Sequence, residues 1–398
     1  MQYRVDERSG NKLSILGFGC MRFPRNISGI DQKKVDKLVS DAVNAGINYF
    51  DTAYIYGGSE SALGTALFNN GMRDRVYIAT KMPISRCTSG EDFDLFFKEQ
   101  LLSLRTDHID YYLMHNIISL ARWEELCSLG IREWLVAKKE SGEIRQIGFS
   151  FHGTRDEFPS ILDAYDWDFC QIQYNYANEN YQAGTSGLRK AAECNIPVII
   201  MEPLLGGNLA TGLSPVAREV FNKIDATRSP AAWGLSWLWN KPEVTVVLSG
   251  MNELFQLESN LKTADQSEPG MITEAEMSAY KEVVEIFNSM DKIPCTGCSY
   301  CMPCPQGINI PSCFASYNAS YTHGRLTAIT MYITSTAANR TSDSLASSCL
   351  NCGICEKKCP QNIEIRRSLK VVARRMEPIY IKIFTKFMRS KAKKGAKR

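Results

Sequence analysis

Phe50-Asp51-Thr52-Ala53-Tyr54-Ile55-Tyr56-Gly57-Gly58-Ser59-Glu60 decides how the rest of the chain is read. An apolar run ends in a carboxylate, and the phenol of Tyr56 follows five residues after Asp51. Two later apolar runs end in groups that suit such a pair. Val76-Tyr77-Ile78-Ala79-Thr80 finishes at Lys81, and Ile109-Asp110-Tyr111-Tyr112-Leu113-Met114 finishes at His115. Three successive predicted strands thus carry polar groups to, or just past, their C-terminal ends. In a (β/α)8 barrel those ends share one rim, where the chemistry of such barrels sits.

The remaining chain supplies the other strands. Leu16 to Gly19 precedes the quoted run; 145–150, 169–173, 197–201 and 244–248 follow it. Helical patterns separate them: Val35, Leu38, Val39, Ala42 and Val43 after Asp31; Phe93 to Leu104 after Ser89; a stretch through Trp123 to Lys139; and Pro230 to Trp239. Thr154 and Glu157 are spaced as a capping box, and Asn252 is placed to cap a helix ending near Leu261. Residues 2–15 alternate around Ser9-Gly10-Asn11 and predict a hairpin. Strand and helix alternating eight times argue for a closed parallel barrel. The fold class is therefore α/β, a (β/α)8 barrel followed by a second domain.

The residue types suggest a reaction. A free tyrosine ionises near pH ~10 and is a poor acid at neutrality. A neighbouring ammonium favours the phenolate, and a carboxylate keeps that ammonium charged and in place. Tyr56, Lys81, Asp51 and His115 would together protonate a carbonyl oxygen while hydride reaches its carbon, or run the reverse. His152 is a further polar candidate on the same rim, although a plain loop histidine explains it as well.

Composition bounds the alternatives. The 398 residues carry a net charge of +3, which gives no reason to expect a nucleic-acid partner. No apolar run is long enough for a transmembrane helix, and the N-terminus has no apolar signal region. The expectation is a cytoplasmic protein. Nine of fourteen cysteines fall between Cys295 and Cys359, eight of them in two tight runs. Cys295-x2-Cys298-x2-Cys301-x2-Cys304-Pro305 is one; Cys349-x2-Cys352-x2-Cys355-x3-Cys359-Pro360 is the other. The second has the spacing of bacterial ferredoxins, in which the cysteine before proline ligates the other cluster. Two [4Fe–4S] clusters are expected. One would use Cys295, Cys298, Cys301 and Cys359, the other Cys349, Cys352, Cys355 and Cys304. The short last spacing of the first run leaves open whether Cys313 replaces Cys304. Zinc is the alternative metal, since C-x2-C pairs also build zinc sites.

FDTAYIYGGSE followed by LG, then ATKMP, then YYLMHN, resembles the aldo-keto reductases over roughly residues 1–262. The cysteine-rich tail resembles the iron–sulfur branch of that family, with a mainly α-helical ferredoxin-like domain. The resemblance implies a catalytic tetrad of Asp51, Tyr56, Lys81 and His115, and a nicotinamide cofactor bound without a Rossmann fingerprint. It places Gly19, Cys20, Met21 and Arg22 under the reactive ring and Ser150 and Gln171 on the carboxamide. Met201 takes the position of the stacking tyrosine, Gly206 lies in the loop over the diphosphate, and Gly250 and Asn260 lie toward the adenosine end. Several positions depart from the family. Phe151 replaces an asparagine and Met201 the tyrosine, while Gly250 and Gln256 replace the lysine and arginine that hold the 2′-phosphate. NAD(H), NADP(H) and a flavin all stay open, and a flavin would join hydride chemistry to one-electron clusters.

The domains implied are a barrel over 1–266, a linker helix over 267–290, an iron–sulfur domain over 291–375 and a basic tail over 376–398. The function implied is an oxidoreductase acting on a small carbonyl or alcohol, with clusters relaying electrons to or from a redox partner protein. The alternative is a non-catalytic redox-sensing or electron-carrier module on a nucleotide-binding barrel.

Overall fold

The computed structural model describes residues 1–290, 292–322, 325–336, 345–379 and 381. From residue 382 onward, the basic tail expected from the sequence lies outside the described residues. The chain divides into two compact units, Met1–Leu204 with Thr227–Met277, and Leu205–Ala226 with Ser278 onward.

The first unit is a closed barrel of eight parallel strands. In order they are Leu16–Gly19, Tyr49–Asp51, Tyr77–Met82, Ile109–Ile117, Ile144–Phe151, Phe169–Gln173, Val198–Met201 and Val244–Ser249. Each pairs with the next, and the eighth closes on the first through Val247–Leu16, Leu248–Gly17 and Ser249–Phe18. An added Cβ at Gly17 would lie 2.7 Å from Val246, so close strand packing accounts for that glycine. The interior is filled by Tyr49, Ala79, Tyr111, Leu113, Phe169, Ile199, Val246 and Leu248. Leu13 joins them from the N-terminal hairpin, Tyr3–Val5 against Lys12–Ser14, whose Asp6 accepts a hydrogen bond from the Tyr111 hydroxyl at 2.8 Å. The hairpin thus plugs the N-terminal mouth of the barrel.

Helices α1 (Gln32–Asn44), α2 (Ser59–Asn69) and α3 (Glu91–Leu104) follow the first three strands. Asp31 caps α1 as expected, accepting from Lys34 N. At Gly64 in α2 an added Cβ would sit 2.6 Å from the Leu104 backbone, so α2 and α3 touch only because that residue is glycine. The helical stretch after the fourth strand is not continuous. It breaks at Gly130 (φ 87) into α4 (Leu120–Ser128) and α5 (Ile131–Glu140). Beyond it lie α6 (Glu157–Leu162) and α7 (Gly184–Glu193). The capping box expected at Thr154–Glu157 does not form. Glu157 instead accepts from the distant Leu120 N at 3.0 Å, and Asp156 stands at the N-cap without a side-chain bond.

Helix α8 (Pro215–Asp225) was not anticipated, although Ser214-Pro215 marks it as Ser229-Pro230 marks α9 (Pro230–Trp239). The cap of α10 (Leu254–Asp265) is Glu253, not Asn252: Glu253 and Gln256 form a reciprocal capping box. Thr273 and Glu276 bond reciprocally at the start of α11 (Glu274–Met290).

In the second unit, α12 (Ile310–Thr322), α13 (Arg325–Thr336) and α14 (Ile365–Met376) surround a core of Ile308, Ile310, Phe314, Ile329, Tyr332, Leu369, Val372 and Met376. The mainly helical character expected of this region is observed. The segment 205–226, which lies in sequence between the seventh strand and α9, belongs to this unit. Asn208 donates to Cys295 O at 3.2 Å, and Phe221 packs edge-on against Tyr280. Among the described residues no helix is long and apolar enough to cross a membrane.

Candidate active site and cysteine centres

The motif around Asp51 is a strand end followed by a tightly tied turn. Tyr56 N donates to Ala53 O, and Ser59 N to Tyr56 O. Gly57 and Gly58 take φ of 39° and 84°, a region costly for residues with a Cβ, and Gly58 caps α2. Ser59 bonds both Thr52 and Cys20 O. Glu60 is buried, accepts from Thr80 at 2.5 Å and Gln100 at 2.7 Å, and has its carboxyl pKa raised by burial. The motif therefore anchors at both ends and holds Tyr56 between them.

Lys81 Nζ lies 2.6 Å from Asp51 Oδ2, and the two side chains are almost fully buried. Such a pair is tolerated only when its remaining bonding capacity is filled. Lys81 also donates to Thr52 O at 2.8 Å, and Asp51 accepts from Gln171 Nε2 at 2.9 Å. The ammonium stands 5.3 Å from the centre of the Tyr56 ring, which meets His115 edge-on at 5.9 Å. Asp51, Tyr56, Lys81 and His115 are thus brought together by three strand ends and one turn. Burial first, then the Lys81 charge, holds the His115 imidazole well below its ordinary pKa. Burial likewise lowers His152 to about 4, against a hydrogen bond with Gln182 that raises it. Both imidazoles are neutral at pH 7.

The other predicted positions fall around this group. Ser150 accepts from Asn116 N at 2.8 Å. Cys20 to Arg22 form a short 3-10 turn after Gly19. The Cys20 thiol is buried, and burial, followed by the Asp51 charge, pushes its pKa well up. The stem of Arg22 covers Gly250, whose added Cβ would lie 3.4 Å from it. Asn260 donates to Ser249 at 3.0 Å. Met201 is half-buried at the end of the seventh strand, paired in register with Gln173. Gly206 is in the second unit, where an added Cβ would lie 2.1 Å from Thr296 O.

A cofactor headgroup can be tested against one feature. Gln171 Oε1 is buried and has no hydrogen-bond partner, although its own Nε2 is committed to Asp51. An acceptor stranded in this way fits an amide N–H, which a nicotinamide carboxamide and a flavin ring both carry. Sequence reasoning passed over two neighbours of the same kind. Asn116 Oδ1 is buried without a partner, as are both amide atoms of Gln173. The signal for Gln173 was its spacing: two residues after Gln171 on one strand, it points to the same face.

Cys359 of the second cysteine run lies with three cysteines of the first. Cys295, Cys298, Cys301 and Cys359 line one cavity with Ile310, Phe314, Ile363 and Ile365. Burial pushes the Cys301 thiol to about 12, and Cys298, Cys295 and Cys359 add to the shift, so the four sulfurs are close neighbours. Among the described residues no three His, Cys, Asp or Glu side chains close on a single metal-ion position; these thiols ring a space instead. In the second run Cys355 faces Cys349. Cys304 lies beside Cys313, a buried thiol whose pKa is raised first by burial and which is hydrogen-bonded with Tyr332. None of the fourteen cysteines is paired in a disulfide.

A closed parallel barrel followed by a helical, cysteine-bearing domain is the architecture of a barrel oxidoreductase fused to an iron–sulfur module. Residues 15–283 match the aldo/keto reductase family, and the chain belongs to that family. Residues 294–364 match the 4Fe-4S dicluster domain. The chain is 26% identical to the uncharacterised oxidoreductase YrpG of Bacillus subtilis (strain 168), over 73% of this chain and 96% of that protein. It is 27% identical to 6-dehydroglucose reductase of Novosphingobium aromaticivorans, over 63% of this chain and 86% of that protein. The fold resembles the holo form of aldo-keto reductase AKR11C1 from Bacillus halodurans, with a TM-score of 0.59, 22% identity, and coverage of 71% and 96% of the two chains.

Proposed function

We propose that the protein interconverts a small carbonyl compound and its alcohol at the rim formed by Asp51, Tyr56, Lys81 and His115, and exchanges electrons with a partner protein through two [4Fe–4S] clusters. The observation that carries the reading is the buried Lys81–Asp51 pair with its ammonium beside the Tyr56 ring. A bound nicotinamide or flavin supplies the hydride. Tyr56 gives its hydroxyl proton to the carbonyl oxygen, or takes it back in the reverse direction. Lys81 stabilises the phenolate left behind, and Asp51 keeps Lys81 fixed. Neutral His115 donates a hydrogen bond to the same oxygen.

Gln171 receives the amide edge of the cofactor, with Ser150 beside it. The first turn of α10 supports weak discrimination for NADP(H). Free N–H groups at a helix start ordinarily welcome a phosphate, but here the Glu253 carboxylate caps the Gln256 N–H and sets a negative charge at that end. Cys295, Cys298, Cys301 and Cys359 hold one cluster, and Cys349, Cys352, Cys355 and Cys304 the other. A cytoplasmic, reducing compartment suits fourteen cysteines outside disulfides.

Tyr56→Phe tests the tetrad. Carbonyl turnover should fall by about 10²-fold or more, while iron content stays at the wild-type level. Turnover retained in that variant would remove Tyr56 from the reaction.

A further inference from the structure

The two cysteine runs differ in how they meet solvent. The four thiols of the first site are only partly exposed, in a pocket walled by Ile310, Phe314 and Ile365. In the second run Cys352 is exposed outright. Leu350 and Ile354 flank it and are 68% and 44% exposed, so two large apolar side chains stand open to solvent beside a proposed cluster ligand. Cations rim this patch. Lys357 and Lys358 are exposed and have no acidic partner among the described residues. Arg366 lies against the turn, 3.6 Å from where a Cβ would stand at Gly353, with its charge balanced by Glu356 at 2.7 Å. The loop thus presents an apolar contact, an exposed proposed ligand and uncompensated positive charge on one short stretch of chain.

Building on the proposed electron exchange, we infer that the Leu350–Lys358 loop is the docking surface for an acidic one-electron carrier protein. The carrier's centre would meet the second cluster beside Cys352. Leu350 and Ile354 would pack against the apolar surround of that centre, and Lys357 and Lys358 would face its carboxylates. One electron leaves the reduced carrier and one enters the cluster; no proton or bond changes hands. The geometry suits a transient partner. Small apolar contacts with a charged rim give fast, salt-sensitive encounter and ready release.

Holoprotein purified without oxygen, titrated with an acidic plant-type [2Fe–2S] ferredoxin, provides the test. Binding should be saturable, weakening about tenfold or more between about 20 and about 200 mM salt. Reduced ferredoxin should reduce the holoprotein in a second-order step with the same salt dependence. Lys357→Glu with Lys358→Glu should weaken binding and slow that step about tenfold or more with iron content unchanged. Leu350→Asp, which leaves the cations in place, should weaken binding while preserving the salt dependence. Binding and electron transfer by the double variant at wild-type strength would overturn the assignment. So would a wild-type dimer that Leu350→Asp converts to monomer, because a second copy would then own the patch. Association with anionic vesicles in place of ferredoxin would overturn it also. Failure of the carbonyl chemistry shows separately, as turnover retained in Tyr56→Phe.

Discussion

Replacing Gly206 by alanine should remove the first of the two proposed clusters and spare the second. Gly206 adopts φ 68, where a Cβ costs about 1–2 kcal/mol. The larger effect is steric. The new methyl would stand 2.1 Å from Thr296 O and 2.9 Å from Thr296 C. Real Cβ contacts essentially never fall under 3.0 Å, so one of the two chain segments must move by about 0.9 Å. The contacted atoms are backbone, which cannot rotate away as a flexible side chain can. Thr296 follows Cys295 directly and precedes Cys298, and Asn208 bonds Cys295 O from the same segment. The displacement is therefore delivered to two of the cysteines proposed to hold that cluster. Overpacking of this kind costs about 1–3 kcal/mol, small against the fold but large for ligands that must converge. Iron and acid-labile sulfide per chain measure the outcome. Two [4Fe–4S] clusters give about eight irons, and the variant should hold about four. Gly207→Ala is the control, since Gly207 has φ 100 but nothing within 4 Å of its added Cβ. It should keep its full iron. Full iron in Gly206→Ala, or equal losses in both variants, would refute a steric wedge at Thr296.

Two further outcomes follow from the buried polar groups. His152 is neutral when folded, with a pKa of about 4, against ~6.5 unfolded. The unfolded chain then binds the extra proton between those values, so stability falls as pH falls through that window. The His152 share is about 2 kcal/mol between pH 7 and pH 5, and denaturant unfolding of wild type should lose that much more than His152→Asn. Parallel losses in the two proteins would show that His152 is already free to charge. Gln173→Met removes two unpartnered amide atoms from a buried site and should raise stability by about 1 kcal/mol or more, while raising the KM for a carbonyl substrate or the Kd for the nucleotide. Lower stability in that variant would mean the amide is well bonded in the resting protein.

The catalytic candidates were legible because the barrel converts a one-dimensional pattern into a ring. Asp51, Lys81 and His115 each end an apolar run, and parallel pairing in register places those ends at one rim. The crossing of Cys359 to the first cysteine run was legible from spacing alone, and the cavity that the four thiols line agrees. Features that depend on contacts distant in sequence were not legible. Glu157 has capping-box spacing, yet the Leu120 N–H outcompetes its own helix. Gly206 looks like a loop glycine placed for a cofactor. Its measurable constraint is a carbonyl ninety residues away in sequence, which no local pattern announces. The split of the chain inside the 204–227 region is hidden for the same reason. Helix α8, by contrast, has a local signal in Ser214-Pro215, a cap followed by proline at the first helical position.

How the buried polar atoms are satisfied separates scaffold from site. Glu60, Thr80, Gln100 and Tyr112 form a chain of bonds behind the third strand. Glu60 accepts from Thr80 and Gln100, and Tyr112 donates to Gln100 Oε1 at 2.7 Å. That network closes on itself and asks nothing of a ligand. The amides at the ends of the fourth and sixth strands behave differently. Asn116 Oδ1, Gln171 Oε1 and both amide atoms of Gln173 are buried and unpartnered, and each such atom costs about 1–3 kcal/mol. Asn116 follows His115 directly and its N–H donates to Ser150, while Gln171 reaches Asp51, so two of these three amides adjoin the Asp51–Lys81–His115 group. A barrel kept only as a frame would gain stability from leucine or methionine at Gln173. Two unmet hydrogen-bonding atoms there offer a bound ligand its partners. That is the physical reason for reading this rim as a ligand-binding site, which a nucleotide-binding carrier module would share. The buried Lys81–Asp51 pair beside the Tyr56 ring is what favours turnover, since a carrier needs no proton donor.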